Sequence, residues 1–438
     1  MEMILQPQKK SGFIKRNYIY IAIISIICMF GLDNKAALII SMGVFIVATF
    51  FSSNQDRLCW SLFLVPNIRI YDNLGYTSFV NILLCVPFFF YISKKLVVKR
   101  THLIVTPLIM ASLLFIMEYI HIESLSVPIY QLYGWLLSFL WCHYVTLDET
   151  VSINKTDVVY ALSLGIICSA VIYLVNNPWF TSDIINEIAS GNRFEAYASD
   201  PNYYSLYICL SLAGLVVKRN LKLFDFILML VLICIGFMTA SKMCFLLMSI
   251  NLFYLIAGTN ISINIYIRNF FIAILGCFVI YVLRDYVGQF IDILLKRTGG
   301  NHMNMNTLTT GRFAIVTEYL ELMSNDISVF MFGKGFSYHT HLHTTSMHGA
   351  HNTYLDFILS WGLIGSIFFF YVIGYWFRQY KKKLCAVKYT KNSKYPFVIL
   401  ALSFFSLSCF SAGMFFFIIA FCLAQLEPVI KNNKIADV

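Results

Sequence analysis

Residues 157–175 read DVVYALSLGIICSAVIYLV, an apolar stretch whose only charged residue, Asp157, stands at its start. As a helix this stretch would extend about 28 Å, close to the roughly 30 Å of hydrocarbon in a bilayer. A helix satisfies its own backbone hydrogen bonds, which a segment inside lipid must do. The stretch therefore predicts a transmembrane helix.

Similar stretches recur along the whole chain. Hydrophobic residues make up 59% of the 438 residues and charged residues only 12%, whereas a soluble domain carries about 25% charged residues. The composition therefore predicts an all-α, polytopic membrane helix bundle of about 12 to 14 transmembrane helices. The predicted spans are 18–32, 36–52, 57–70, 77–93, 102–120, 128–146, 157–175, 201–217, 222–240, 242–258, 269–286, 352–377 and 395–425.

Two of these spans are irregular. The segment 57–70 is short and contains Pro66, which leaves a re-entrant segment open as an alternative. The segment 395–425 is too long for one crossing, and Ser411, Ala412 and Gly413 are a candidate turn within it.

Positive charge lies in short runs between the spans, and this orients the bundle. The formal net charge is +10, but its distribution is that of insertion signals and not of a nucleic-acid surface. The N-terminus, 94–100, 218–219 and 378–394 fall on one side, which we predict to be cytoplasmic. The opposite side then receives two sizeable loops, 176–200 and 287–351.

This topology divides the chain into five parts. The large loop is expected to contain short helices, because 285–296 and 312–323 carry apolar residues at helical spacing. The parts are the N-terminal helices 1–175, the outer loop 176–200, the central helices 201–286, the large loop 287–351, and the C-terminal helices and tail 352–438.

Histidines are concentrated at the end of the large loop. His351 is the best candidate for a general base, since the imidazole pKa lies near neutrality and the residue opens a span that would anchor it. The alternative is a loop histidine that caps a helix or faces water. His339, His341, His343 and His348 invite a zinc interpretation, but no carboxylate or cysteine joins them at metal-ligand spacing, so we predict no metal site.

Basic residues on the outer side are candidate anion ligands. Guanidinium groups bind phosphate in a bidentate manner, and Arg193 and Arg312 stand between polar, glycine-containing stretches of the two loops. The alternative for each is contact with lipid headgroups. Lys242 lies on the outer side against the positive-inside bias, so either snorkelling or ligand binding accounts for it. Asp200 and Asn202 are explained by a helix start alone.

The end of the large loop resembles a known family. The run His351-Asn352-Thr353-Tyr354-Leu355, continued by Trp361-Gly362-Leu363-Ile364-Gly365, is similar to the signature of the O-antigen ligase and O-antigen polymerase superfamily. Weaker similarities extend upstream as far as Arg193, whereas the N-terminal spans resemble the family only in hydropathy. The weaker similarities lie in Thr310-Gly311-Arg312, Gly333-Lys334-Gly335, Arg193 with Asp200-Pro201-Asn202, and Thr239 with Ser241-Lys242.

The resemblance implies inverting glycosyl transfer without a metal or cofactor, at the periplasmic face of the bacterial inner membrane. The donor would be a glycan linked to undecaprenyl diphosphate, and the partners would be membrane lipid and, as a further candidate, a polysaccharide chain-length regulator. By the resemblance His351 would assist deprotonation of the acceptor hydroxyl. Binding of substrate and diphosphate would fall to Arg193, Arg312, Lys242, Asn202, Asn352 and Lys334.

The residues leave three functions open. A polymerase transfers the glycan to a lipid-linked repeat unit. It is favoured because this chain has Asn352 where many ligases carry serine, and because its Ile, Phe, Lys and Asn-rich composition resembles that of surface-polysaccharide clusters. Lys242 stands where the family's ligases often show arginine, which weakens the role that the resemblance gives to Lys242. A ligase would transfer the glycan to lipid A-core. A flippase or other transporter would call for charged residues within the spans and for related halves. The spans are almost free of charge, with Glu118 close to a span end, and the halves do not show paired broken helices. A structural or sensor protein is the remaining alternative.

Overall fold

The structure, a computed structural model, describes residues 12–74, 79–95, 102–119, 129–148, 151, 153–183, 187, 192–198, 200–218, 221–257, 312–336, 338–342, 349–384, 391–408 and 414–426. Within these ranges all regular structure is helical and there is no β-strand, which confirms the all-α class. Two of the elements are 3₁₀ segments, Val65–Leu74 and Lys391–Lys394.

Most of the described residues belong to α-helices. In chain order they are α1 (Phe13–Gly31), α2 (Lys35–Phe51), α3 (Asn54–Leu64), α4 (Phe79–Lys95), α5 (His102–Tyr119), α6 (Ile129–Leu147), α7 (Lys155–Asn176), α8 (Pro178–Ser182), α9 (Pro201–Val216), α10 (Leu223–Met238), α11 (Lys242–Ala257), α12 (Arg312–Asn325), α13 (Ile327–Phe332), α14 (Tyr338–His341), α15 (Thr353–Lys383), α16 (Tyr395–Ser403) and α17 (Phe415–Ala424).

Among the described helices, α1, α7 and α15 are long and apolar enough to cross a membrane. Shorter apolar helices pack around them, and many of their outward-facing side chains are large and hydrophobic. Transmembrane-helix character is therefore present in the fold. The shorter apolar stretches are Lys35–Phe51, Leu83–Ile92, Val105–Ile116, Leu223–Met238, Lys242–Ile256 and Phe415–Ala424.

The structure shows where the helices end and begin in the two irregular predicted spans. In place of one span over 57–70, α3 covers about 16 Å at 1.5 Å per residue and ends at Leu64, after which a 3₁₀ segment passes through Pro66. The predicted break within 395–425 is confirmed, since α16 ends at Ser403 and α17 begins at Phe415. Residues 411–413 and the span 269–286 lie outside the described residues.

A buried arginine corrects the expectation that the spans are almost free of charge. The side chain of Arg57 in α3 is buried beside Asp56. Its Nε and Nη2 donate to the carbonyls of Thr49 and Phe50, at 3.0 and 3.1 Å, which close the last turn of α2. Arg57 therefore acts as a cap for a helix C-terminus, where carbonyls lack helical partners and a cation is favourable.

Asparagine and aspartate caps fix where the two helices nearest the candidate site begin. The Oδ1 of Asp200 accepts from the amide of Asn202 at 2.6 Å, which confirms the predicted start of α9. The Oδ1 of Asn352 accepts from the amides of Tyr354 and Leu355 at 3.0 and 3.2 Å and begins α15. Both caps replace hydrogen bonds that the first helical turn cannot make internally.

The described part of the large loop forms a small helical unit of its own. The predicted helix over 312–323 is confirmed as α12, whereas 285–296 lies outside the described residues. Helices α12, α13 and α14 bury a second apolar cluster against the first half of α15, separate from the main core. Its buried members are Tyr319, Met323, Val329, Tyr338, Leu342, Ala350, Leu355 and Leu359.

Helix α15 is broken at Gly362, where this unit crosses it. Gly362 has φ 65° and ψ −176°, a conformation that is essentially restricted to glycine. The carbonyls of Leu359 and Ser360 would otherwise accept from the next helical turn. Instead they accept from the amides of Lys334 and Gly335, at 2.8 and 2.6 Å. The break is therefore closed by the strand-like segment after α13, which joins the helical unit to α15.

Candidate functional site

A cavity of about 270 Å³ opens between α9, α15 and the helical unit of the large loop. Its wall mixes polar and apolar side chains and combines segments far apart in sequence, including the starts of both capped helices. The described lining residues are Asp200, Asn202, Tyr203, Phe336, Tyr338, His339, Gly349, His351, Asp356, Ser360, Leu407 and Ser408.

His351 stands on the cavity wall directly before the cap of α15. The amide of Thr353, two residues on, donates to the carbonyl of Phe404 at 2.8 Å, and the Thr353 hydroxyl donates to the carbonyl of Leu407. These bonds attach the start of α15 to the segment after α16. The imidazole is therefore carried by a well-anchored stretch of backbone, as the sequence predicts.

Arg193 reaches the same cavity through Asn202. Its Nη2 donates to Asn202 Oδ1 at 3.0 Å, and its Nε donates to the carbonyl of Thr239 at 3.1 Å. The hydroxyl of Ser241 donates to the same Asn202 oxygen at 3.0 Å. Arg193 thus connects the outer loop, the start of α9 and the α10–α11 turn. Its guanidinium lies behind Asn202, which forms part of the cavity wall.

Arg312 approaches from another side. Its Nη1 donates to the carbonyl of Ser406 at 3.0 Å, next to the lining residues Leu407 and Ser408. Burial lowers the pKa of the Arg312 guanidinium from its ordinary value, and the negative charge of Asp200 acts in the opposite direction. Arginine stays charged under such shifts, so a partly desolvated positive charge lies near the acidic lip of the cavity.

Unusual backbone geometry is concentrated in the segments that build the site. The non-glycine residues with positive φ in the described chain are Ala196, Ala240 and His351, at 46°, 45° and 48°. A left-handed conformation costs a non-glycine residue about 1 to 3 kcal/mol and is often found at functional sites. Ala196 follows Arg193 closely, and Ala240 separates the two residues of the α10–α11 turn that bond to the Arg193 network.

Five predicted ligands are not among the described lining residues. Two of them, Arg193 and Arg312, bond to or beside the wall, and the other three are Asn352, Lys242 and Lys334. Asn352 uses its side-chain oxygen as the α15 cap. Lys242, half-buried, follows Ser241 as the first residue of α11. The amide of Lys334 bonds to α15, and its charge acts on Asp326, the residue that caps the start of α13. His351 and Asn202 thus line the cavity, Arg193 and Arg312 bond to or beside its lining residues, and the other three are not among its lining residues.

Of the histidines considered for zinc, His339 lines the cavity and His341 ends α14. His343 and His348 lie outside the described residues. The residues that are described contain no grouping of three or more potential metal ligands.

Sequence reasoning missed Asp356 and Tyr338. Asp356 is 5% exposed and lines the cavity one turn beyond the start of α15. Acidic residues are common in first helical turns, so the position of Asp356 alone does not indicate a function. An ionisable residue within an otherwise apolar span is, however, a signal that could have identified it. Burial and the charge of Asp356 raise the pKa of the Tyr338 hydroxyl, which therefore stays protonated and can donate.

Glu118 supports the floor of the cavity, and its loss should destabilise the fold. The buried carboxylate of Glu118 accepts from the amide of Phe336 at 2.9 Å and from Trp361 Nε1 at 2.8 Å. In Glu118→Gln the amide nitrogen cannot accept, so one buried donor loses its partner at a cost of about 1 to 3 kcal/mol. Thermal unfolding in detergent should show a lower Tm, whereas Glu321→Gln, at an exposed position on α12, should leave it unchanged. An equal Tm for both variants would contradict this role.

Fold and site together define a helical protein with apolar helices suited to a membrane and a polar, arginine-flanked cavity at the helix ends. Comparison of the chain with protein-family models, with curated proteins and with solved structures gives no significant match. The family resemblance therefore rests on the motif residues alone.

Proposed function

We propose that the protein is a surface-polysaccharide polymerase of the O-antigen type. It would transfer a glycan from undecaprenyl diphosphate to a lipid-linked repeat unit, at the periplasmic face of the bacterial inner membrane. In this proposal the chain crosses the membrane about 12 to 14 times, and 287–351 is a periplasmic loop. The support is the motif around His351 together with the surroundings of that residue.

One observation carries the proposal: a histidine and two arginine-linked polar groups border a single cavity. His351 and Asn202 both line it, and Asn202 accepts from Arg193. Asp200, also on the wall, acts electrostatically on Arg312. A cavity that combines a neutral-pH base with flanking guanidinium groups suits an acceptor hydroxyl beside a diphosphate.

The chemistry needs no external energy source, because the glycosyl diphosphate is already activated. The acceptor hydroxyl oxygen forms a bond to the anomeric carbon while the bond from that carbon to the diphosphate oxygen breaks. The bonding electron pair leaves with the diphosphate, and the hydroxyl proton passes to His351. Arg193 and Arg312 stabilise the negative charge that develops on the leaving group. Attack opposite the leaving group inverts the anomeric centre.

The helix ends favour the same assignment for the anion. The N-termini of α9 and α15 both begin at the cavity, since Asp200 and Asn202 belong to one and His351 precedes the other. Amide dipoles make such termini favourable for phosphate. With Arg193 and Arg312 nearby, positive potential would come from two independent sources.

Gene deletion followed by gel electrophoresis of surface lipopolysaccharide tests the proposal. A polymerase predicts core that bears a single repeat unit. Bare core with lipid-linked polymer accumulating would instead indicate a ligase, and loss of lipid-linked repeat units from the periplasmic face would indicate a transporter. Unchanged banding would contradict all three. The purified protein should extend an undecaprenyl-diphosphate-linked repeat unit equally well with and without EDTA.

Replacement of either arginine should reduce transfer strongly. Loss of one group that stabilises a leaving-group charge typically lowers kcat about 100- to 1,000-fold, so Arg193→Ala and Arg312→Ala should do so in the purified assay. Arg193→Lys should recover little, because a lysine cannot keep both bonds to Thr239 and Asn202.

Arg69→Ala is the matched control for these variants. Arg69 bonds through its amide to the carbonyl of Tyr197, in the loop that also carries Arg193, but its side chain is 49% exposed and pairs at the surface with Asp72 and Glu195. Exposed pairs contribute little, so activity should be kept. Equal activity of Arg69→Ala and Arg193→Ala would contradict the diphosphate assignment.

A further inference from the structure

Three groups form a continuous hydrogen-bonded chain beneath His351. The Tyr338 hydroxyl donates to Asp356 Oδ1 at 2.5 Å, and its oxygen accepts from the amide of Ala350 at 2.8 Å. Ala350 is fully buried and immediately precedes His351. The chain therefore runs from a carboxylate on α15, through a phenol on α14, to the backbone that carries the proposed base.

The direction of these bonds is fixed by the chemistry of the groups. A phenol has one proton to donate and lone pairs that accept. The Ala350 amide can only donate, so it occupies a lone pair of Tyr338 and leaves the phenolic proton for Asp356. Removal of the carboxylate would free that proton to rotate. Asp356 thus orients Tyr338, and Tyr338 in turn holds the Ala350 amide.

His351 needs this support because of its own backbone. Its φ of 48° lies in the left-handed region that non-glycine residues rarely adopt. Such a conformation persists only where surrounding bonds determine it. On one side His351 is followed by the Asn352 cap and the Thr353 attachment. On the other side, the amide of Ala350 bonds to the Tyr338 hydroxyl.

We propose that Asp356 and Tyr338 are positioning residues that hold His351 in its left-handed conformation toward the acceptor hydroxyl. This inference rests on the proposed glycosyl transfer for its catalytic meaning. The hydrogen-bonded relay itself, from Asp356 through Tyr338 to the amide of Ala350, concerns only the backbone at 350–351. Both side chains also line the cavity, so the relay and the substrate share one wall. A loss of the relay would move the imidazole without removing it.

Kinetics of the full-length protein test the catalytic part. Displacement of a reacting group by about 1 Å can lower the rate about 100-fold, so Tyr338→Phe should reduce kcat about 10- to 100-fold with little change in the donor KM. Asp356→Asn keeps an oxygen that accepts from Tyr338 and should recover most of the activity, whereas Asp356→Leu should match Tyr338→Phe. Because Tyr338→Phe and Asp356→Leu break the same hydrogen-bonded relay, the double variant should be no less active than either single variant.

A second tyrosine–aspartate pair supplies the control. Tyr91 donates to Asp148 at 2.7 Å, and Asp148 lies about 20 Å along α6 from Trp135, which packs on the lining residue Phe336. Tyr91→Phe therefore removes a bond of the same kind far from the cavity. It should leave kcat unchanged, and its effect on Tm should be similar to that of Tyr338→Phe.

Amide hydrogen exchange tests the relay independently of activity. The peptide that contains Ala350 should exchange faster in Tyr338→Phe and Asp356→Leu than in the wild type or Tyr91→Phe. Unchanged exchange at this peptide, or a Tyr338→Phe variant with full kcat, would overturn the relay. A wild-type protein without transferase activity would overturn the proposed function instead, and faster exchange in the same variants would still support the relay.

Discussion

His351→Asn should abolish polymerisation while leaving the protein folded. Loss of a general base typically lowers the rate about 100- to 10,000-fold, enough to remove the ladder of long chains from a lipopolysaccharide gel. Asparagine tolerates the left-handed conformation that His351 adopts, so the backbone at the start of α15 can be retained. An amide cannot take a proton from the acceptor. We therefore expect single-repeat core from cells that express only this variant.

Two measurements separate a chemical effect from a folding defect. The amount of protein in the membrane and its Tm should be close to those of the wild type, and His351→Ala should be equally inactive, although less stable because alanine is strained at this φ. A normal ladder in cells with His351→Asn would remove histidine from the mechanism. It would favour a transporter, whose function need not depend on this side chain.

Gly362→Ala should have the largest effect on folding. At Gly362 an added Cβ would lie 2.2 Å from the carbonyl carbon of Met331 and 2.3 Å from the amide nitrogen of Phe332, both backbone atoms that cannot rotate away. The backbone conformation is also closed to alanine. Strain and overpacking together should cost about 3 kcal/mol or more. We expect a sharp fall in the yield of folded protein and in its Tm.

Gly374→Ala provides the control in the same helix. Apart from the adjacent residues and the backbone of its own helix, no atom lies within 4 Å of the position where its Cβ would be added. Alanine is favoured over glycine within a helix by about 1 kcal/mol. Its yield and Tm should equal or exceed those of the wild type. If Gly362→Ala behaved like Gly374→Ala, the crossing between the helical unit and α15 would not exist as described.

The helices were predictable because their signal is local. A run of apolar residues such as 157–175 specifies a helix whatever surrounds it, and α7 follows that run closely. The caps at Asp200 and Asn352 are equally local, since the side chain bonds within its own first turn. His351 and the two arginines were also recognisable, because their chemistry is carried by residue type and by position beside a span.

The remaining features depend on contacts between distant segments. The break at Gly362 exists because 331–335 crosses α15 there, and nothing in the run 352–377 alone requires it. Arg57 ends the polar run 52–57, and its burial depends on the free carbonyls of α2, which the local sequence does not indicate. Asp356 acquires its partner Tyr338 from another helix. Lys334 shows the reverse case, in which a promising motif position is not among the lining residues of the cavity.

The segment after α16 has a consequence for synthesis of the chain. Arg312 donates to Ser406, Tyr203 donates to Ser408, and Thr353 donates to Leu407. Side chains from three earlier parts of the protein thus bond to acceptors that leave the ribosome after them. A nascent chain that has not yet reached Ser408 possesses every proposed reactive group, but it lacks the strip of backbone that assembles them. Activity should begin only when the final helices have inserted.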